Sequence, residues 1–72
     1  MERILIVEDD HLFAISLQGI LAQNNYDTDI AYEGGNGILL AESRVYSLVL
    51  LDIMLPDMDG WDVARTLQYC CC

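Results

Sequence analysis

The sequence predicts an α/β fold built on a parallel sheet, and three observations carry that reading. Two apolar runs, Ile4-Leu5-Ile6-Val7 and Leu48-Val49-Leu50-Leu51, each lead straight into acids, Glu8-Asp9-Asp10 and Asp52. Unbroken apolar runs of this length, bounded by turn residues, suit strands buried on both faces, as in parallel sheets. Helix-like stretches alternate with these strands, and that order requires crossover connections and parallel pairing. Open α/β sheets place their ligands at the carboxyl ends of the strands, so the acids are expected to converge at one sheet edge.

Taken in order, Arg3 to Val7 reads as the first strand, apolar and β-branched. Asp9 or Asp10 is suited to cap the helix that follows, because a short acidic side chain satisfies free amides and complements the helix dipole. Phe13, Leu17, Ile20 and Leu21 recur at helical spacing as a core-facing stripe flanked by Leu12 and Ile15. Asn24-Asn25 stops this helix, since Asn tolerates the left-handed conformation of a helix end. Tyr26 to Tyr32 alternates in polarity and reads as a shorter strand at the sheet edge. Gly34, Gly35 and Gly37 then predict a flexible turn into a weak helix, Asn36 to Ser43, because Gly lowers helix stability. Neither a dinucleotide fingerprint nor a Lys-containing phosphate loop is present there. Leu48 to Leu51 is the third strand, and a helix is expected from Trp61 to Leu67 after a loop shaped by Pro56 and Gly60.

Composition narrows the function. The chain has 72 residues and a formal charge of −9. Its three Arg and complete lack of Lys exclude a nucleic-acid-binding surface in this segment. With 54% apolar residues the chain collapses rather than staying disordered. No apolar run is long enough to span a bilayer and no signal peptide is recognised, so a cytoplasmic protein without a membrane segment is expected. Cysteine occurs only as Cys70-Cys71-Cys72. Three consecutive thiols do not complete a tetrahedral metal site without another ligand, so residues 68–72 are read as an atypical tail marking a premature end.

Asp9 and Asp52 at adjacent strand ends, with Glu8 and Asp10 nearby, make the chemistry. Carboxylates held that close repel, so either a pKa rises or a cation binds. Oxygen-only ligands on a hydrated site favour Mg²⁺ or Mn²⁺. Each acid alone reads as a helix cap or loop residue; grouped at two apolar strand ends they read as a site. Asp57 and Asp59 are read as loop structure and His11 as an exposed residue of the first helical turn. Trp61, Met54 and Met58 are assigned to packing or partner contact.

Two stretches resemble the receiver domain of two-component response regulators: Arg3 to Asp10, with Ile-Leu-Ile-Val-Glu-Asp-Asp, and Tyr46 to Val63, with Leu-Asp-Ile-Met-Leu-Pro-Asp-Met-Asp-Gly-Trp. The resemblance makes residues 1–67 a partial receiver domain, about the first half of the family's domain. It implies a flavodoxin-like three-layer fold with three strands in the order 2-1-3 and three helices. It assigns Asp52 as phosphoacceptor for a sensor histidine kinase. It also gives Asp9, Asp52 and the backbone carbonyl of Met54 as Mg²⁺ ligands, with Glu8 acting through water. Such a domain is not an enzyme beyond slow self-phosphorylation and dephosphorylation. The family's Ser or Thr after a fourth strand and Lys after a fifth lie outside these residues, so phosphotransfer is expected to be impaired. The third strand is then an apolar edge inviting a homodimer. A non-catalytic half-receiver interaction module and an inactive fragment are the alternative readings.

Overall fold

In the computed structural model, which describes residues 2–52 and 55–68, strands and helices alternate strictly. They are β1 (Arg3–Val7), α1 (His11–Gln23), β2 (Asp27–Ala31), α2 (Gly34–Ser43), β3 (Leu48–Leu51) and α3 (Gly60–Gln68). The three strands form one parallel sheet in the order β2-β1-β3. Val7 lies opposite Ala31 on one side and Leu51 on the other, so all three strands end level. That register is the flavodoxin-like arrangement expected.

The central strand is the core. Ile4, Leu5, Ile6 and Val7 are all buried because β1 is covered on both faces and flanked on both edges. Leu5, Val7 and Ala31 point to one face, where Leu40, Ala41, Tyr46, Val49, Leu51 and Leu55 pack on them. Side chains alternate across a strand, so Ile4 and Ile6 serve the opposite face.

β2 is an edge strand, as its alternating pattern predicted. The buried-on-both-faces reading of β3 needs correction: Leu48 is exposed, the other three residues are half-buried, and no described strand pairs with its outer edge. A second correction concerns α1. Its fully buried residue is Ala14, whereas Phe13 and Ile20 of the expected core stripe are 52% and 57% exposed. The helix packs over β1 and β2, and the β3 side of that face carries no described helix. A groove of about 320 Å³ remains there, running between Phe13, Leu17 and Leu50 toward Glu8 and Asp52.

Helix boundaries have local causes. The Asp10 side chain accepts from the Phe13 amide at 3.1 Å, which makes Asp10 the N-cap of α1 and leaves that role closed to Asp9. Asn25 ends the helix with φ 67°, the left-handed conformation Asn tolerates. α2 begins at Gly34, two residues before the expected start. The flexible-turn reading of these glycines is also corrected, since Gly34 and Gly37 are buried and closely packed. A Cβ on Gly37 would stand 2.8 Å from Val7 Cγ2, and one on Gly34 would stand 2.6 Å from Met58 Sδ and 2.9 Å from Val63 Cγ2. Glycine lets α2 lie close to β1 and to the segment leading into α3.

Candidate functional site

The level strand ends bring the acids together. One carboxylate oxygen from each of Glu8, Asp9 and Asp52 lies within 4.8 Å of the others. Strand pairing holds both backbones at this edge: the Glu8 amide donates to Ala31 O at 3.0 Å, and the Asp52 amide donates to Val7 O at 2.9 Å. Glu8 and Asp52 are half-buried and Asp9 is exposed, so the cluster is open to solvent on one side. The Glu8 carboxylate also accepts from the Asp10 amide at 3.3 Å. Partial burial, reinforced by the neighbouring Asp52 and Asp9 carboxylates, pushes the Glu8 carboxyl above its usual range; the Asp10 amide opposes this.

Of the residues singled out in the sequence, Glu8, Asp9 and Asp52 are therefore brought together. Asp10 is turned away as a cap. Met54 lies outside the described residues, as does the cysteine tail. His11 is exposed, as expected, and its ring stacks on Tyr32 with centroids 3.8 Å apart. Trp61 is exposed at the start of α3.

Asp57 has a larger part than a loop residue. Its carboxylate accepts from the amides of Gly34 at 2.7 Å and Gly35 at 2.9 Å, and so caps α2 across 22 or more positions of sequence. These two amides hold its carboxyl below the usual carboxylate range. Asp59 turns the chain into α3 by accepting from the Trp61 amide at 2.9 Å. The capping of α2 was not legible locally, because the donors and the acceptor meet only in the folded chain. The one available signal was negative: α2 starts with Gly-Gly and has no local residue that caps it through its side chain.

Three carboxylates with no sulfur or imidazole among them fit a hard divalent cation that keeps part of its water shell. A three-stranded parallel sheet with an acidic cluster at its carboxyl edge defines an α/β domain whose acids lie where open parallel sheets place their ligands.

Comparison with known proteins is specific. The response regulator receiver domain matches residues 4–69. The response regulator ArlR of Staphylococcus saprophyticus is 43% identical over 68 residues, which cover 94% of this chain and 31% of ArlR. The transcriptional regulatory protein DltR of Streptococcus agalactiae is 39% identical over 66 residues, 92% of this chain and 30% of DltR. Among solved structures, a CheY-like receiver domain from Methanospirillum hungatei superposes with a TM-score of 0.91 at 36% identity, covering 96% of this chain and 56% of that one. TrrA from Thermotoga maritima, in complex with Mg²⁺-BeF, gives 0.92 at 33% identity, covering 96% and 60%. The chain belongs to the response regulator receiver domain family. It spans about a third of the length of these curated relatives.

Proposed function

We propose that this chain is a phosphoacceptor segment of a two-component signalling protein, with Asp52 as the phosphorylated residue. The observation that carries this reading is the meeting of Glu8, Asp9 and Asp52 at the carboxyl edge of the sheet. Asp9 and Asp52 would hold Mg²⁺ (or Mn²⁺) through carboxylate oxygens, with the Met54 carbonyl as a third protein ligand and Glu8 acting through water. That the related TrrA was solved in complex with Mg²⁺-BeF supports Mg²⁺ as the ion. When bound, the ion would neutralise charge on the transferring phosphoryl oxygens.

The remaining work falls to this chain's own residues. Strand pairing at the Asp52 amide points its carboxylate into the cluster, where an oxygen attacks phosphorus. A P–O bond to the aspartate forms while the bond to the donor breaks, and the donor leaves with the electron pair. For a phosphohistidine donor on a sensor kinase, the imidazole nitrogen leaves and takes up a proton. The domain is an acceptor rather than an enzyme with a turnover of its own, and its place is the cytoplasm, where ATP-fed kinases supply phosphate.

Incubation with Mg²⁺ and acetyl phosphate followed by intact mass measurement tests this. A phosphoryl adduct that disappears in Asp52→Asn is expected. A folded wild-type sample without any adduct contradicts the proposal.

A second component of the reading is self-association. The outer edge of β3 and the Phe13–Leu17–Leu50 groove favour it, since an exposed apolar edge strand templates pairing. A symmetric dimer is expected in size exclusion with light scattering under reducing conditions. A folded monomer at micromolar concentration contradicts it.

A further inference from the structure

Asp57 sits in the loop that leaves Asp52, and it is anchored outside the site. Its two carboxylate oxygens take the first two amides of α2, at 2.7 and 2.9 Å. The residue preceding the helix, Glu33, makes no side-chain cap, so the α2 amides depend on this distant carboxylate. Beside it Met58 and Val63 fill the space that a side chain on Gly34 would need. Cap and packing together fasten the loop to α2. At the loop's other end the Asp52 amide is held by Val7 O at 2.9 Å. Asp52 and Asp57, five positions apart in sequence, are thus each held at a fixed point, one in the sheet and one at a helix start.

We propose that Asp57 is a positioning residue for the phosphoacceptor: by clamping the loop to the α2 N-terminus it sets where the Asp52 carboxylate lies relative to Glu8 and Asp9. This rests on the reading of Asp52 as the phosphorylated residue. The chemistry of the clamp is favourable. Two orphan amides at the positive end of a helix dipole accept an ionised carboxylate better than any neutral group. The depressed titration of Asp57 agrees with it. The clamp also ties α2 to the site, so displacement of either is felt by the other.

The test compares Asp57→Ala and Asp57→Asn with Tyr46→Phe, which removes a hydrogen bond at the opposite end of the sheet. Two quantities are measured in folded protein: the rate of adduct formation from acetyl phosphate and Mg²⁺, and amide hydrogen exchange without metal. Asp57→Ala is expected to slow adduct formation roughly tenfold, as misplacement of a reacting group does. Asp57→Asn, which keeps one acceptor oxygen, should fall between Ala and wild type, and it carries the test if the Ala variant fails to fold. Tyr46→Phe should lower the melting temperature and leave the rate unchanged. Equal rates in all variants overturn the proposal, leaving Asp57 a stabilising cap only. If wild type itself takes no phosphate, the Asp52 reading fails on that result, and exchange then judges the clamp. Roughly tenfold faster exchange at the Asp52 amide as well as at Gly34 and Gly35, with β2 unchanged, supports it. Faster exchange confined to Gly34 and Gly35 overturns it.

Discussion

The two ends of this sheet treat their acids in opposite ways. Toward the amino end, Asp29, midway along β2, is surrounded by donors: Arg3 at 3.1 Å, Arg44 at 3.5 Å and the Tyr46 hydroxyl at 2.7 Å. Arg3 also reaches Asp27 at 4.0 Å. At the carboxyl end Glu8, Asp9 and Asp52 crowd one another. The third arginine, Arg65, pairs with Asp62 on α3. With no Lys in the chain, every Lys or Arg cation is thus engaged by an acid outside the cluster. One end is an internally balanced network that ties β1 and β2 to the segment between α2 and β3. The other gathers three carboxylates within 4.8 Å of one another, an arrangement that either raises a carboxyl pKa or favours a cation.

The largest effect that follows concerns the Mg²⁺ proposed to bind the acidic cluster. A ligand bound only by the folded state at a hundred times its dissociation constant adds about 2.7 kcal/mol to stability. Thermal unfolding with Mg²⁺ and then with excess chelator should therefore differ by several degrees. The double variant Asp9→Asn/Asp52→Asn should lose that response, and without metal it should melt above wild type because repulsion is relieved. An equal Mg²⁺ response in wild type and double variant would erase the distinction between the two ends.

At the amino end the expectation reverses. Asp29→Ala takes the acceptor from the Arg44 guanidinium and the Tyr46 hydroxyl and leaves Arg3 with Asp27 alone, at a cost of roughly 2 kcal/mol. Urea titrations should give the same loss with and without Mg²⁺, since Asp29 is no part of the acidic cluster. A loss that vanishes on adding Mg²⁺ would mean that the two ends are coupled through β1.

How much of this could be read from the residues alone depended on whether the cause was local. Apolar runs ending in acids located β1, β3 and the Glu8, Asp9, Asp52 group, because period and polarity are properties of the run itself. The Asn24-Asn25 stop was legible for the same reason. The strand order came through family resemblance rather than pattern. What was missed lies between elements. Phe13 and Ile20 have helical spacing suited to a core, but their exposure is decided by which part of the sheet α1 covers. The glycines at 34 and 37 announce a turn in isolation, and only contact with Met58 and Val7 makes them packing positions. Asp57 looks like any loop acid until α2 presents its amides.

The smallest effect sharpens the comparison through pH. Tyr46 is pushed up to about 12, first by burial and then by its hydrogen bond to Asp29, whose charge also disfavours a phenolate. A folded-state value above the unfolded one, near 10, means that protonated Tyr46 adds stability fully below pH ~10. That contribution is lost as pH rises through the folded value, so the window runs from about 10 to about 12. Tyr46→Phe should be destabilised by about 1 kcal/mol at neutral pH, the size of one hydrogen bond. Its stability should then fall less steeply than that of wild type across the same window. Phenolate absorbance checks this, because the transition near pH 12 should disappear in Tyr46→Phe. In Asp29→Ala the same transition should move down toward the ordinary tyrosine range, since the acceptor and its charge are gone. A transition that stays put in Asp29→Ala would assign the shift to burial alone and remove Tyr46 from the charge network of the amino end.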